Sequence, residues 1–127
     1  MITTIRPDVQ MAEALRKMAE ITLQRLNRTD MQGYPSNTLL DYYDVIHKLL
    51  EAQTLSKGIK FRGEGAHQEL IDYIAKQKSI DEQTRVFLQE MRDFRNRISY
   101  EGFMVPKNYI LLNREKIDKI VNDLMKI

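Results

Sequence analysis

The sequence predicts an all-α protein, an up-and-down bundle of about five helices that occupies residues 1–127 as one domain. Three observations predict it. Apolar residues recur at helical spacing through most of the chain, and strand-like alternation is not evident. The three prolines and five glycines fall at Pro7, Gly33-Tyr34-Pro35, Gly58, Gly63 and Gly65, Gly102 and Pro106, which cuts the chain into five helix-sized pieces. A length of 127 residues suffices for one core and is short for two.

The first helix is expected to start after Asp8 and run to about Arg28. Met11, Ala12, Leu15, Met18, Ala19 and Leu26 fall on one side of it with Leu23 at the edge, opposite Glu13, Lys17, Glu20 and Gln24. Its methionine stripe reads as core. Gly33 to Asn37 supplies a turn and cap for a second helix, roughly Thr38 to Ser56, whose apolar arc from Leu39 to Leu55 is broad enough to require more than one neighbour. That helix is either the centre of the fold or presents its extra face to another subunit. Gly58 ends it, and Lys57, Lys60 and Arg62 make the next connection basic, which reads as a solvated loop. A short third helix follows from Gly65 to about Lys76. Ser79-Ile80-Asp81-Glu82 has the form of a capping box, in which serine and glutamate satisfy free backbone N–H groups, so a fourth helix is expected from near Ile80 to about Tyr100. Pro106 suits the first turn of a fifth, and short connections favour antiparallel neighbours.

Composition narrows the function classes. Hydrophobic residues make up 43% and charged residues 30%, the balance of a water-soluble globule. No apolar run approaches the ~18 residues of a membrane span. Met1 to Pro7 lacks the charged and then apolar regions of a secretory signal, so no membrane association and a cytoplasmic location are expected. Cysteine is absent, which excludes disulfides, thiolate metal sites and a cysteine nucleophile. His47 and His67 are the only imidazoles and neither has another at i+4, so neither a metal nor another cofactor is expected. The net charge of +2 is too small for a long-range field, and any contact with nucleic acid must be local.

The densest set of hydrogen-bonding groups is Arg92-Asp93-Phe94-Arg95-Asn96-Arg97-Ile98-Ser99-Tyr100-Glu101-Gly102 at the end of the fourth helix. Arg92, Arg95, Asn96 and Ser99 adjoin on one stripe beside the apolar face. A guanidinium placed there must find an acceptor or open onto a cleft, because burying it unpaired is costly. Two readings stay open. Arg95 pairs with a carboxylate such as Glu101, Asp44 or Glu64, or the stripe lines a cleft in which arginine grips phosphate and the Asn, Ser and Tyr groups orient a nucleotide. Arg97 is a further candidate for nucleotide or RNA contact.

Arg95-Asn96 near a helix end, the preceding Tyr42-Tyr43…His47 helix, the Lys57-Gly58…His67-Gln68-Glu69-Leu70-Ile71 hinge and a closing helix after Gly102 resemble a HEPN domain over nearly the whole chain. The resemblance implies a helical bundle that dimerises so that the motifs of two subunits face one cleft. It implies RNA or nucleotide as ligand, and activity as a metal-independent ribonuclease of toxin-antitoxin type or as a non-catalytic partner of a minimal nucleotidyltransferase. The superfamily pattern is R-x4-H; here Arg95 and Asn96 fit, while Tyr100 stands where histidine is expected, and Gly102 stands where some relatives carry tyrosine. On the resemblance, Arg95 is the phosphate clamp, Asn96 an orienting group and Tyr100 a hydroxyl donor or weak base, with Arg92, Ser99 and Arg97 as ligand contacts. A phenol of unperturbed pKa near ~10 is a poor general base. His67 is a candidate replacement base, but at the start of a short helix histidine is more often a surface or capping residue. Arg95 and Tyr100 diverge by about 140° on an ideal helix, so they are expected to converge only through a helix distortion or across a dimer.

Overall fold

The computed structural model describes residues 1–127 and is 70% helical. The order is β1 (Ile2–Thr4), α1 (Val9–Leu26), α2 (Pro35–Leu55), β2 (Ile59–Phe61), α3 (Ala66–Lys76), α4 (Glu82–Glu101) and α5 (Lys107–Met125). Helix α1 lies along α2, and the remaining sides of α2 meet α3, α4, α5 and β2. The broad apolar arc of α2 is therefore satisfied inside one chain, with Leu39, Val45, Ile46, Leu49 and Leu50 all essentially inaccessible to water. Burial on this scale is the main stabilising term of the fold. One polar tie crosses it: Tyr42 Oη donates to Asp118 Oδ1 of α5 at 3.0 Å. Burial, followed by that carboxylate, pushes the Tyr42 phenol up to about 12.

The helix ends show how local chemistry sets the boundaries. Asp8 caps α1 by accepting from Met11 N at 3.0 Å. Helix α2 starts three residues earlier than expected, at Pro35, because proline's fixed φ suits a first helical position. The expected capping box does not form; Asp81 caps α4 by accepting from Thr84 N at 2.7 Å, and the Ser79 N–H bonds back to Ile74 O. Aspartate directly before the first helical turn serves better than a serine two residues further out. Gly102, at φ 67°, ends α4 with its N–H donating to Arg97 O.

Two further expectations are corrected. Met11 and Met18 are each 49% exposed, and α1 buries Ala12, Ala19 and Leu26 instead. Small side chains at seven-residue spacing bring α1 close to α2 and roll the methionines outward. The connection after α2 is also not a solvated loop: β1 and β2 form an antiparallel pair with Ile2 opposite Phe61, Thr3 opposite Lys60 and Thr4 opposite Ile59. Three-residue strands are too short for alternation to show in the sequence. The α-amino group of Met1 completes the junction, donating to Arg62 O at 2.7 Å and Glu69 Oε1 at 2.6 Å.

Gly58 is the pivot of that junction. It has φ +80°, its carbonyl accepts from Ile5 N at 2.8 Å, and a Cβ there would lie 2.6 Å from Ile5 O. Gly63 has the same φ with nothing near its Cβ position. Gly58→Ala should therefore cost ~2–4 kcal/mol in urea denaturation and Gly63→Ala only about 1 kcal/mol; equal losses would show that the contact with Ile5 is unimportant.

Candidate functional site

Three helices build the site. Helix α2 supplies Tyr43 and His47, four residues apart and so on one face, with Asp44 beside them. Helix α3 supplies His67 in its first turn, and α4 supplies Arg92, Arg95, Asn96 and Ser99. The rings of His47 and His67 stack with centroids 3.9 Å apart and planes 21° apart. Tyr43 lies beside both rings, its centroid 6.2 Å from His47 and 6.0 Å from His67, and brings its Oη within 3.3 Å of His67 Nδ1. This aromatic cluster closes the seam between α2 and α3.

The cluster floors two adjoining clefts that share His67 and Arg95. One, of about 280 Å³, is lined by Asp41, Tyr43, Asp44 and Ser99. The other, of about 440 Å³, lies between the Gly63–Gln68 turn and the Arg92, Asn96 and Tyr100 side chains. Arg95 and Tyr100 thus reach the same cleft from one undistorted helix, which runs unbroken to Glu101. Lining one wide cleft is a looser relation than the convergence expected from a kink or a second subunit.

Arg95 has no carboxylate partner. Its only side-chain hydrogen bond runs from Nη1 to Asn96 Oδ1 at 3.1 Å. Of the acids named as alternatives, Asp44 holds Lys48 through both oxygens at 2.7 Å, Glu101 lies 3.9 Å from Arg97, and Glu64 lines the same cleft without a hydrogen bond or ion pair to Arg95. Arg92 likewise bonds a neutral group, Gln89 Oε1, at 2.7 Å. Arg97 does not reach the cleft. Its guanidinium sits 4.0 Å from the Phe103 ring centroid, a cation–π contact that fastens the end of α4 to the following segment.

The opening turn of α3 adds donors. Gly65 adopts a left-handed conformation, no side chain caps the helix, and the backbone N–H groups of His67 and Gln68 have no partner within the chain. Free N–H groups at a helix start favour an anion, and here two guanidinium-bearing side chains line the same cleft.

Burial sets the protonation states. His47 is pushed down to about 4 by desolvation, then by His67. Its Nε2 lies 3.5 Å from Glu51 Oε1, and its Nδ1 is buried without a partner. The approach to Glu51 is therefore that of a neutral imidazole, because desolvation outweighs one half-buried carboxylate that burial itself raises. His67 is lowered by desolvation, then by Arg95 and Arg92. Desolvation pushes the Tyr43 phenol up to about 12 against the pull of the same arginines.

The structure brings together Arg92, Arg95, Asn96, Ser99 and Tyr100 and leaves Arg97 outside. It adds Tyr43 and His47, and it keeps His67 at the start of α3, where its ring also lines the site. The Tyr43/His47 spacing is visible in the sequence as a polar interruption of an apolar arc, but nothing local links that pair to His67. No group of three histidine and carboxylate side chains converges as a metal-binding set. No family model, curated protein or solved structure matches the chain.

Two outcomes are expected. Because Arg95 holds only a neutral neighbour, Arg95→Ala should change unfolding stability by less than ~0.5 kcal/mol, as measured by urea denaturation. His47 has a depressed folded-state pKa, so the unfolded chain binds more protons between about pH 6.5 and 4. Stability should be fully present above that window and fall by up to about 3 kcal/mol as pH drops through it. His47→Phe should flatten that loss, and an unchanged slope would mean that other groups control acid unfolding.

Proposed function

We propose that this chain is a HEPN-type domain that binds single-stranded RNA or a nucleotide by its phosphate in the cleft between the start of α3 and the C-terminal half of α4. The observation that carries the reading is Arg95, a guanidinium beside the core with no anion of its own, in a cleft shared with Arg92. Arg92 and Arg95 take the phosphate oxygens, the open N–H groups of α3 supply neutral donors, and Asn96, Ser99 and Tyr100 contact sugar or base. The five-helix order and the Arg95-Asn96 pair support the family assignment.

A ribonuclease within this reading uses the 2′-hydroxyl as nucleophile: its proton passes to His67 as the 2′-oxygen bonds phosphorus, and Arg95 stabilises the charge on the phosphoryl oxygens. The P–O5′ bond then breaks to give a 2′,3′-cyclic phosphate and a 5′-oxygen that takes its proton from the Tyr100 hydroxyl or solvent. Tyr100 is 78% exposed at the mouth of the cleft, which makes it a contact group before a base.

A second reading is favoured by one specific observation. Tyr100, Met104, Leu111 and Leu112 are all more than 60% exposed and follow directly on the arginine stripe. Exposed apolar side chains of this kind suit a protein partner, either a second copy or a minimal nucleotidyltransferase. With the α2 face filled from within, dimerisation in this reading rests on such exposed side chains.

The test uses a labelled single-stranded RNA dodecamer and fluorescence anisotropy. Wild type should bind with an affinity that falls as salt rises, and Arg95→Ala should weaken binding at least ~10-fold while helical circular dichroism is unchanged. Cleavage that persists in chelator and disappears in Arg95→Ala would establish the ribonuclease form. RNA affinity equal in wild type and Arg95→Ala would end the nucleic-acid reading and leave the partner-module reading.

A further inference from the structure

His67 occupies an unusual position among the cleft residues. It is common to both clefts and also lines a smaller cavity of about 120 Å³ beneath them, with His47, Glu51 and Lys60. One face of its ring is covered by His47 at 3.9 Å, and its Nδ1 is engaged by Tyr43 Oη. Its Nε2 makes no hydrogen bond within the chain and is not among the buried unpartnered atoms, so it meets solvent in the cleft. A ring pinned on one face and at one nitrogen, with the other nitrogen open beside two arginines, is arranged as a ligand.

We infer that His67 is a third ligand for the anion bound by Arg92 and Arg95, neutral in the unliganded protein and protonated when phosphate arrives, with Tyr43 and His47 as positioning residues. The inference rests on the reading of the cleft as a phosphate site and adds proton uptake to it.

The hydrogen bond to Tyr43 allows both states. Beside a neutral imidazole the phenol donates to Nδ1, which places the ring hydrogen on Nε2 as a donor into the cleft. When the ring is protonated the bond reverses, Nδ1–H donating to Oη, and Nε2–H becomes a charge-assisted donor to phosphate. In the neutral state the phenol hydrogen is taken by Nδ1; in the protonated state it has no other acceptor in the chain and turns to the cleft that Tyr43 lines. No other hydrogen bond involves the Tyr43 hydroxyl, so nothing competes for either direction.

The charges around His67 give the sign. From α4, Arg92 and Arg95 oppose a further positive charge. From α2, the Asp41 and Asp44 carboxylates line the same cleft but are held by Arg25 at 2.6 Å and Lys48 at 2.7 Å, and His47 stays neutral. Glu51 of α2 and Lys60 of β2 line the cavity below and offset each other, Glu64 sits on the turn above, and Tyr100 of α4 lies at the mouth. Desolvation together with the two arginines keeps the ring neutral until an anion cancels their repulsion. A phosphate therefore raises the proton affinity of His67, and by linkage a proton raises the affinity for phosphate. Binding tightens as pH falls below the ordinary histidine range and levels off once His67 is protonated without ligand. The stack sets the limit at one proton, since a second imidazolium would face the first at 3.9 Å.

The test uses the full chain and a rhodamine-labelled 2′-O-methyl hexauridylate, whose phosphodiesters do not titrate in this range and which cannot be cleaved by 2′-oxygen attack. Wild-type affinity should rise about tenfold between pH 8 and pH 5.5, because one proton taken up per ligand contributes at most tenfold per pH unit. His67→Gln, which keeps a neutral donor, should bind with a flat pH profile. The second readout is the ¹⁵N titration of the His67 ring in wild type, whose midpoint should move upward when the probe is saturating. A pH-independent wild-type affinity, or a midpoint unmoved by the probe, would overturn the inference while the phosphate reading stands. If Arg95→Ala binds the probe as wild type does, the cleft reading fails and the inference fails with it.

Discussion

Helix α2 is the constraint on which the rest of the molecule depends, since α1, α3, α4, α5 and β2 all pack on it. A helix enclosed in this way can carry functional groups only where two of its neighbours part. Here that opening lies between α3 and α4, and Leu40, Asp41, Tyr43, Asp44 and His47 are the α2 residues that reach it. The α2–α3 side of the opening is sealed by the His47–His67 stack and not by aliphatic packing, so the groups that hold the helices together also form the floor of the site. Substitution of either histidine therefore acts on fold and function together, and only readouts that separate protonation from stability can divide the two.

The electrostatic arrangement follows from how the carboxylates are distributed. Asp41, Asp44, Glu82, Asp72 and Glu101 each have a cationic neighbour outside the Arg92–Arg95 pair. Two guanidiniums on one helix face are thereby left with amide partners alone, and their mutual repulsion is not relieved within the chain. Partly buried like charges without a counterion raise the free energy of the unliganded state and lower it on arrival of an anion. The uncapped start of α3 points the same way, because its free N–H groups are half-satisfied by water and better satisfied by an oxyanion.

The helices were legible in the sequence because each has its own signals, namely apolar periodicity together with glycine and proline at the joints. What failed was chemistry that depends on contact between distant segments. Met11 and Met18 have the spacing of core residues, but Ala12, Ala19 and Leu26 make a closer fit to α2 and turn them to solvent. Strands β1 and β2 exist through pairing across more than fifty residues of chain, with the Met1 amino group and Gly58 fixing the junction. The site was half legible. The stripe of Arg92, Arg95, Asn96 and Ser99 follows from helical geometry alone, while the convergence of His67 on Tyr43 and His47 depends on how α3 returns across α2.

Arg95 and Arg97 show why residue type does not assign a role. They lie two positions apart on α4 and so differ by about 200° around the helix axis. Arg97 faces Phe103 and Glu101, and its charge is spent on a cation–π contact and a long ion pair that hold the helix end. Arg95 faces the seam between α2 and α3, where Asp41 and Asp44 are already paired and its one hydrogen-bond partner is an amide. The same side chain is thus structural at one position and available at the other, and the difference lies in which neighbours the fold has left without a counterion. Tyr100 belongs to this logic as well. At position 100, next to the arginine stripe, the chain carries an exposed phenol, and an imidazole reaches the same cleft from α3. If proton transfer occurs there, the group suited to it arrives from a different helix, aligned by Tyr43 and His47 and not by the spacing of the arginine motif.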